Sequence, residues 1–101
     1  MVLEAGDYDE CKGIFFFDPD DRIYADHFPG HSVVPGSMIV QAFMLAGEKL
    51  DHSRSLCAIE NFRFKKFIPP GEYGYRIAVM ENELKCTLYD GPSVVATGTL
   101  K

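Results

Sequence analysis

Residues 37–50, SMIVQAFMLAGEKL, decide the fold. On a helix of 3.6 residues per turn, Met38, Ile39, Val40, Ala42, Phe43, Met44, Leu45 and Ala46 fall around most of the circumference and not along one stripe. A helix of that kind is expected to be buried nearly all round. Just upstream, residues 26–36 read DHFPGHSVVPG. Their prolines and glycines exclude a regular helix and predict a rigid, irregular loop leading into the helix at Pro35-Gly36.

Working outward, residues 1–10 are acidic and weakly patterned, and Gly13-Ile14-Phe15-Phe16-Phe17 is a β-prone run stopped by Asp18-Pro19-Asp20-Asp21. After the helix the pattern changes to strands over residues 56–67, 73–81, 83–89 and 93–100. The turns between them are Pro69-Pro70-Gly71, Glu81-Asn82-Glu83 and Asp90-Gly91-Pro92. Alternation puts Tyr73, Tyr75, Ile77 and Val79 on one face of their strand, and pairs Phe62 with Phe64 in the same way. One apolar helix, with one strand before it and four after, satisfies burial only if a curved antiparallel sheet wraps the helix. That is the α+β hot-dog arrangement. A ferredoxin-like sandwich needs a second helix, and no second helical period is present.

The 101 residues form a single domain, and their 47% hydrophobic content supports a packed core. So short a chain buries a modest share of its surface alone, which favours further burial in an oligomer. A net charge of −5 argues against nucleic acid as a partner. Cys11, Cys57 and Cys86 are odd in number and widely spaced, so they read as free thiols and neither a disulfide framework nor a metal site. The apolar run 38–46, broken by Gln41, is too short to span a membrane, and no charged lead precedes an apolar signal core. A cytoplasmic protein without metal or cofactor is the expectation.

The stretch HFPGHSVVPGSMIVQAFMLAG resembles the signature of the beta-hydroxyacyl-(acyl carrier protein) dehydratases of type II fatty acid synthesis. That signature runs His-Phe-Pro-Gly, a variable residue, Pro, two apolar residues, Pro-Gly, and then an apolar helix with Glu or Asp in its second turn. A second block, Phe62-Arg63-Phe64-Lys65-Lys66-Phe67-Ile68-Pro69-Pro70-Gly71, is similar to the family's strand and proline-glycine turn after the helix. The resemblance spans about residues 12–100. It lacks most of the strand and short helix that usually precede the motif.

The resemblance implies a lyase reaction: removal of water from a 3-hydroxyacyl thioester of acyl carrier protein to give the trans-2-enoyl thioester. His27 takes the place of the family's base, which suits a side chain that titrates near neutrality. The Gly36 N–H, at a helix N-terminus, is the implied donor to the thioester oxygen as it gains charge. Phe28, Pro29, Gly30, Val34 and Pro35 are the implied substrate-binding residues. Arg63, Lys65 and Lys66, the one basic cluster, are the implied carrier-protein contact, opposed by their reading as a solvated strand face. The family pattern also implies a homodimer, or a higher oligomer of dimers, with His27 from one subunit meeting residue 41 of the other.

Gln41 departs from the pattern, because an amide cannot exchange the proton that the family's carboxylate handles. Asp26 stands where Gly is usual, and Ser32 where Pro is usual. Glu48 and Glu60 read as surface charges, and His31 and His52 as exposed. Besides the dehydratase reading, two others stay open: a binding subunit that keeps the acyl site without catalysis, and a hot-dog thioesterase.

Overall fold

The computed structural model describes residues 10–21, 33–50 and 58–101. They form β1 (Glu10–Phe17), α1 (Gly36–Leu50), β2 (Ile59–Phe64), β3 (Gly71–Val79), β4 (Leu84–Asp90) and β5 (Ser93–Leu100). The strands make one antiparallel sheet in the order β1-β3-β4-β5-β2. The two strands that flank the helix in sequence thus lie at opposite rims of the sheet. One helix on one five-stranded antiparallel sheet is the hot-dog architecture anticipated above.

Alternation fixes which face meets the helix. Tyr73 and Ile77 of β3, Leu84, Cys86 and Leu88 of β4, and Ala96 and Leu100 of β5 are all buried. Lys12, Arg76, Thr87, Thr97 and Arg63 form one lateral row on the other face. Phe43 sits at the centre with no exposed surface, and burying such a side chain contributes about 1.5–3 kcal/mol. Three aromatic rings surround it: Phe15 at 5.0 Å, and Tyr75 and Phe62 each at 6.1 Å between centroids. The Phe15 contact is edge-to-face, the arrangement favoured by ring quadrupoles.

Two glycines make room for this aromatic cluster. A β-carbon at Gly98 would lie 2.3 Å from the Phe62 ring, and one at Gly13 would lie 2.7 Å from Tyr75. Gly91, at φ 59°, precedes Pro92 in the two-residue β4–β5 connection, a conformation that favours glycine. Asn61, at φ 54°, sits where the β2–β5 register slips between Glu60 and Arg63. Asn tolerates that left-handed conformation better than most side chains.

The sequence reading is corrected at three places. β1 starts earlier, because Glu10, Cys11 and Lys12 continue the ladder with β3. β2 stops at Phe64, after which the Lys65 N–H donates to Val95 O and the chain bends toward Pro69-Pro70. The helix is not buried all round: Ile39, Phe43 and Gly47 form a single buried stripe, whereas Ser37, Gln41 and Glu48 are exposed and Leu45 is 53% exposed. A single sheet covers one side of a helix, so the apolar character of the opposite side is left facing outward.

Cys86 is a free, buried thiol whose pKa burial pushes up to about 12, and it behaves as a small apolar core residue. Cys11 is free and half-buried, its Sγ 4.0 Å from the Tyr75 hydroxyl. Cys57 lies outside the described residues. Ion pairs lie on the surface: Arg76 with Glu10, Lys85 with Glu83 at 3.0 Å, and Lys101 with Glu60 at 3.0 Å. Such half-exposed pairs contribute little to stability.

Candidate functional site

The start of α1 is held by backbone bonds on both sides. The Val34 N–H donates to Ile68 O at 2.9 Å, tying the segment before the helix to the β2–β3 connection. Pro35 O accepts from the amides of Met38 (3.0 Å) and Ile39 (3.3 Å), closing the first turn. The Gly36 and Ser37 amides precede that ladder and point out of the helix end, where the backbone dipoles favour negative charge. No acidic side chain in the first turn competes for them.

Beside this helix end is an apolar cavity of about 160 Å³, bounded by Val34, Pro35, Gly36, Ile39, Phe64 and Phe67. Val34 and Ile39 are buried and form its floor. A β-carbon at Gly36 would come within 3.0 Å of the Phe64 ring, so the missing side chain lets an aromatic group approach the helix start. Phe67 is 87% exposed, the most exposed of the large apolar residues described. Phe64 and Ile59 are also partly exposed, so β2 presents apolar surface, with Phe64 and Phe67 at the cavity.

Of the implied site residues, Val34, Pro35 and Gly36 therefore gather at one cavity. His27, Phe28, Pro29 and Gly30 lie outside the described residues, as do Asp26, His31, Ser32 and His52. Gln41 is exposed on the open side of α1 and makes no hydrogen bond among the described residues. Five residues past Gly36, it lies about 7.5 Å along the axis and roughly 140° around it. Within one protomer, then, residue 41 and the Gly36 cavity face different ways.

The three cations of the implied carrier contact are divided. Arg63 lies on the outer sheet face, in an open polar depression of about 370 Å³ shared with Lys85 and three threonines. Lys66 borders the Gly36 cavity and reaches Asp90 at 3.5 Å, and Lys65 is exposed. The division follows from the end of β2 at Phe64, since Arg63 is in the strand and the two lysines are beyond it. Glu60 is paired with Lys101, which holds the lysine's pKa above its ordinary value through that hydrogen bond, and Glu48 is exposed.

Comparison with known proteins settles the family. The model of the ApeI-like dehydratases matches residues 4–91. The chain belongs to the ApeI-like dehydratase family. Relatives include the 3-hydroxyacyl-[acyl-carrier-protein] dehydratase FabZ of Caldicellulosiruptor saccharolyticus, 28% identical over 98% of this chain and 81% of that one. FabZ of Bacillus thuringiensis strain Al Hakam is 32% identical over 70% of this chain and 55% of its own. Among solved structures, a chain of the dehydratase heterocomplex ApeI:P from Xenorhabdus doucetiae superposes with a TM-score of 0.76. It is 21% identical, and the match covers 97% of this chain and 90% of that one, a likeness of fold.

Sequence reasoning missed a second, larger cavity between α1 and β1. Its one legible signal was the pair of small residues Ala42 and Ala46, a turn apart in an otherwise bulky helix. Among the described residues no helix is long and apolar enough to cross a membrane.

Proposed function

We propose that this chain is a subunit of a hydro-lyase acting on 3-hydroxyacyl thioesters of acyl carrier protein. The observation that carries the reading is the apolar cavity at the start of α1, lined by Gly36, whose amide is free of the helical ladder and which carries no side chain of its own. A thioester oxygen in that cavity meets a donor and the positive end of a helix. Negative charge that develops there as the α-proton leaves is stabilised without reorganisation.

In this scheme the His27 imidazole removes a proton from the carbon next to the thioester carbonyl. The electron pair forms the carbon–carbon double bond, and the His27 imidazolium returns its proton to the 3-hydroxyl, which leaves as water. Gln41 orients that hydroxyl by hydrogen bonding but contributes none of the roughly 10²- to 10⁴-fold that a positioned general acid supplies. Lys66 at the cavity rim, with Arg63 and Lys65 nearby in sequence, offers the acidic carrier a local, salt-sensitive attraction.

The working unit is a dimer in which Gln41 of one subunit approaches His27 of the other. The exposed stripe of α1 and the apolar β2 side support this, since both present surface that a second subunit would bury. Gln41 itself favours a second reading. A different hot-dog subunit that carries a carboxylate at the corresponding position completes the site opposite His27, and the solved relative is named as a heterocomplex.

The test is hydration of a trans-2-enoyl thioester, followed by loss of enoyl absorbance, for the wild type, His27→Ala and Gln41→Glu. Turnover that disappears in His27→Ala is expected of a self-sufficient dehydratase. Activity only in Gln41→Glu points to the partner-dependent site. No turnover in any of the three overturns the hydro-lyase proposal in favour of a binding subunit or a thioesterase.

A further inference from the structure

Along the open side of α1, Gln41, Leu45 and Lys49 follow one another at four-residue steps, each exposed and each about 6 Å beyond the last. Beside the C-terminal half of this stripe lies a cavity of about 520 Å³. That volume is in the range that holds small ligands. Phe15 and Tyr75, stacked 4.0 Å apart and nearly parallel, form one wall. Ala42 and Ala46 form the helix side, their short side chains leaving the space open. Leu45 and Ile14, exposed by 53% and 66%, stand at the rim. The chemistry proposed above uses none of the residues that line this cavity.

Lys49 also lines this cavity, about 12 Å along the axis from Gln41. It makes no ion pair among the described residues, whereas Lys66, Lys85 and Lys101 each hold a carboxylate. An apolar, aromatic-walled slot that ends at an uncommitted ammonium is complementary to a chain that ends in an anion. Gln41, Leu45 and the cavity are continuous along one helix face, so a chain whose reacting carbons lie at Gln41 runs directly into it.

We propose that this cavity receives the distal part of the acyl chain and that Lys49 selects a medium-length chain ending in a carboxylate. The inference rests on the hydro-lyase reading only in placing the reacting carbons beside Gln41.

Two measurements separate that dependence. In the first, enoyl thioesters of equal medium length, ending in methyl or in carboxylate, are compared as substrates, with a crotonyl thioester as the short control. Wild type should favour the carboxylate chain in kcat/KM by about fivefold, the scale of an exposed ion pair, and Lys49→Met should erase the preference. Ala46→Phe should fill the cavity and abolish use of both medium chains, read relative to the same variant's crotonyl turnover. A preference unaltered in Lys49→Met, or medium chains still used by a folded Ala46→Phe, overturns the proposal. In the second, calorimetry with the unreactive saturated ω-carboxyacyl pantetheine amide tests the site directly, even when crotonyl thioester is not turned over. Weaker binding to Lys49→Met than to wild type supports the site, and equal binding refutes it.

Discussion

Replacing Gly98 by Ala adds one methyl group where the structure has no room. An ideal β-carbon there lies 2.3 Å from both Cγ and Cδ2 of Phe62 and 2.5 Å from Cδ1, against the 3.5–4.0 Å or so of a normal carbon contact. Because Cγ is the root of the ring, turning the ring about its own axis does not relieve the clash. The whole side chain must move, and it is held between Phe43 at 6.1 Å and Phe64 at 6.3 Å, on a strand distorted at Asn61. Overpacking of this kind costs about 1–3 kcal/mol. The backbone at Gly98 is not in the left-handed region, so Ala also reduces unfolded-chain entropy and returns about 0.5–1 kcal/mol. The net expectation is a loss of roughly 1–2 kcal/mol in urea unfolding, with an unchanged dependence on denaturant. In a Phe62→Ala background the clash is gone, so the same change should be neutral or stabilising. The coupling between the two positions should then reach about 2 kcal/mol. A Gly98→Ala loss that persists undiminished in Phe62→Ala, or no loss at all, refutes the assignment of Gly98 as the space that Phe62 occupies.

Three further outcomes follow from the same packing. Phe43→Ala, at the fully buried centre, should cost about 3–5 kcal/mol by denaturant titration, and Phe43→Leu clearly less. Cys86 ionises near 9.0 when unfolded and near 12 when folded, so its contribution is complete below pH 9 and is lost as pH rises toward 12. The slope from this group approaches 1.4 kcal/mol per pH unit, and Cys86→Val should unfold with a shallower alkaline dependence than wild type; identical slopes would argue against it. Phe67→Ser should leave protomer stability within about 0.5 kcal/mol, since the ring is 87% exposed, yet weaken self-association in sedimentation equilibrium.

The reach of the sequence can be seen residue by residue. Pro35-Gly36 marked the helix start, Gly91-Pro92 the last hairpin, and the alternation of Tyr73, Tyr75 and Ile77 the inner face of β3, because each is a local signal. The exposure of Leu45 and Gln41 was not legible. An apolar side chain carries the same signature whether its own sheet or another subunit covers it. The pairing of Gly98 with Phe62 was equally hidden, because residues 36 apart in sequence meet only through the β2–β5 register. Of the candidate site, the sequence supplied Val34, Pro35 and Gly36 as a contiguous motif. The cavity between α1 and β1 depends on which strand lands beside Ala42 and Ala46, and periodicity does not encode that choice.

The two rims of the sheet are unequal. β2 is interrupted by a register slip with Asn61 in a left-handed conformation, whereas β1 runs regularly through all eight residues, without proline or bulge. Its outer backbone has no strand neighbour among the described residues, and Ile14 and Phe16 stand out beside it. A regular rim with apolar side chains beside it is a template for another extended chain, and within the strand Glu10 and Lys12 are the charged gatekeepers. Edge-to-edge association through β1 at high concentration is the expected consequence, and a charge at position 14 or 16 should suppress it.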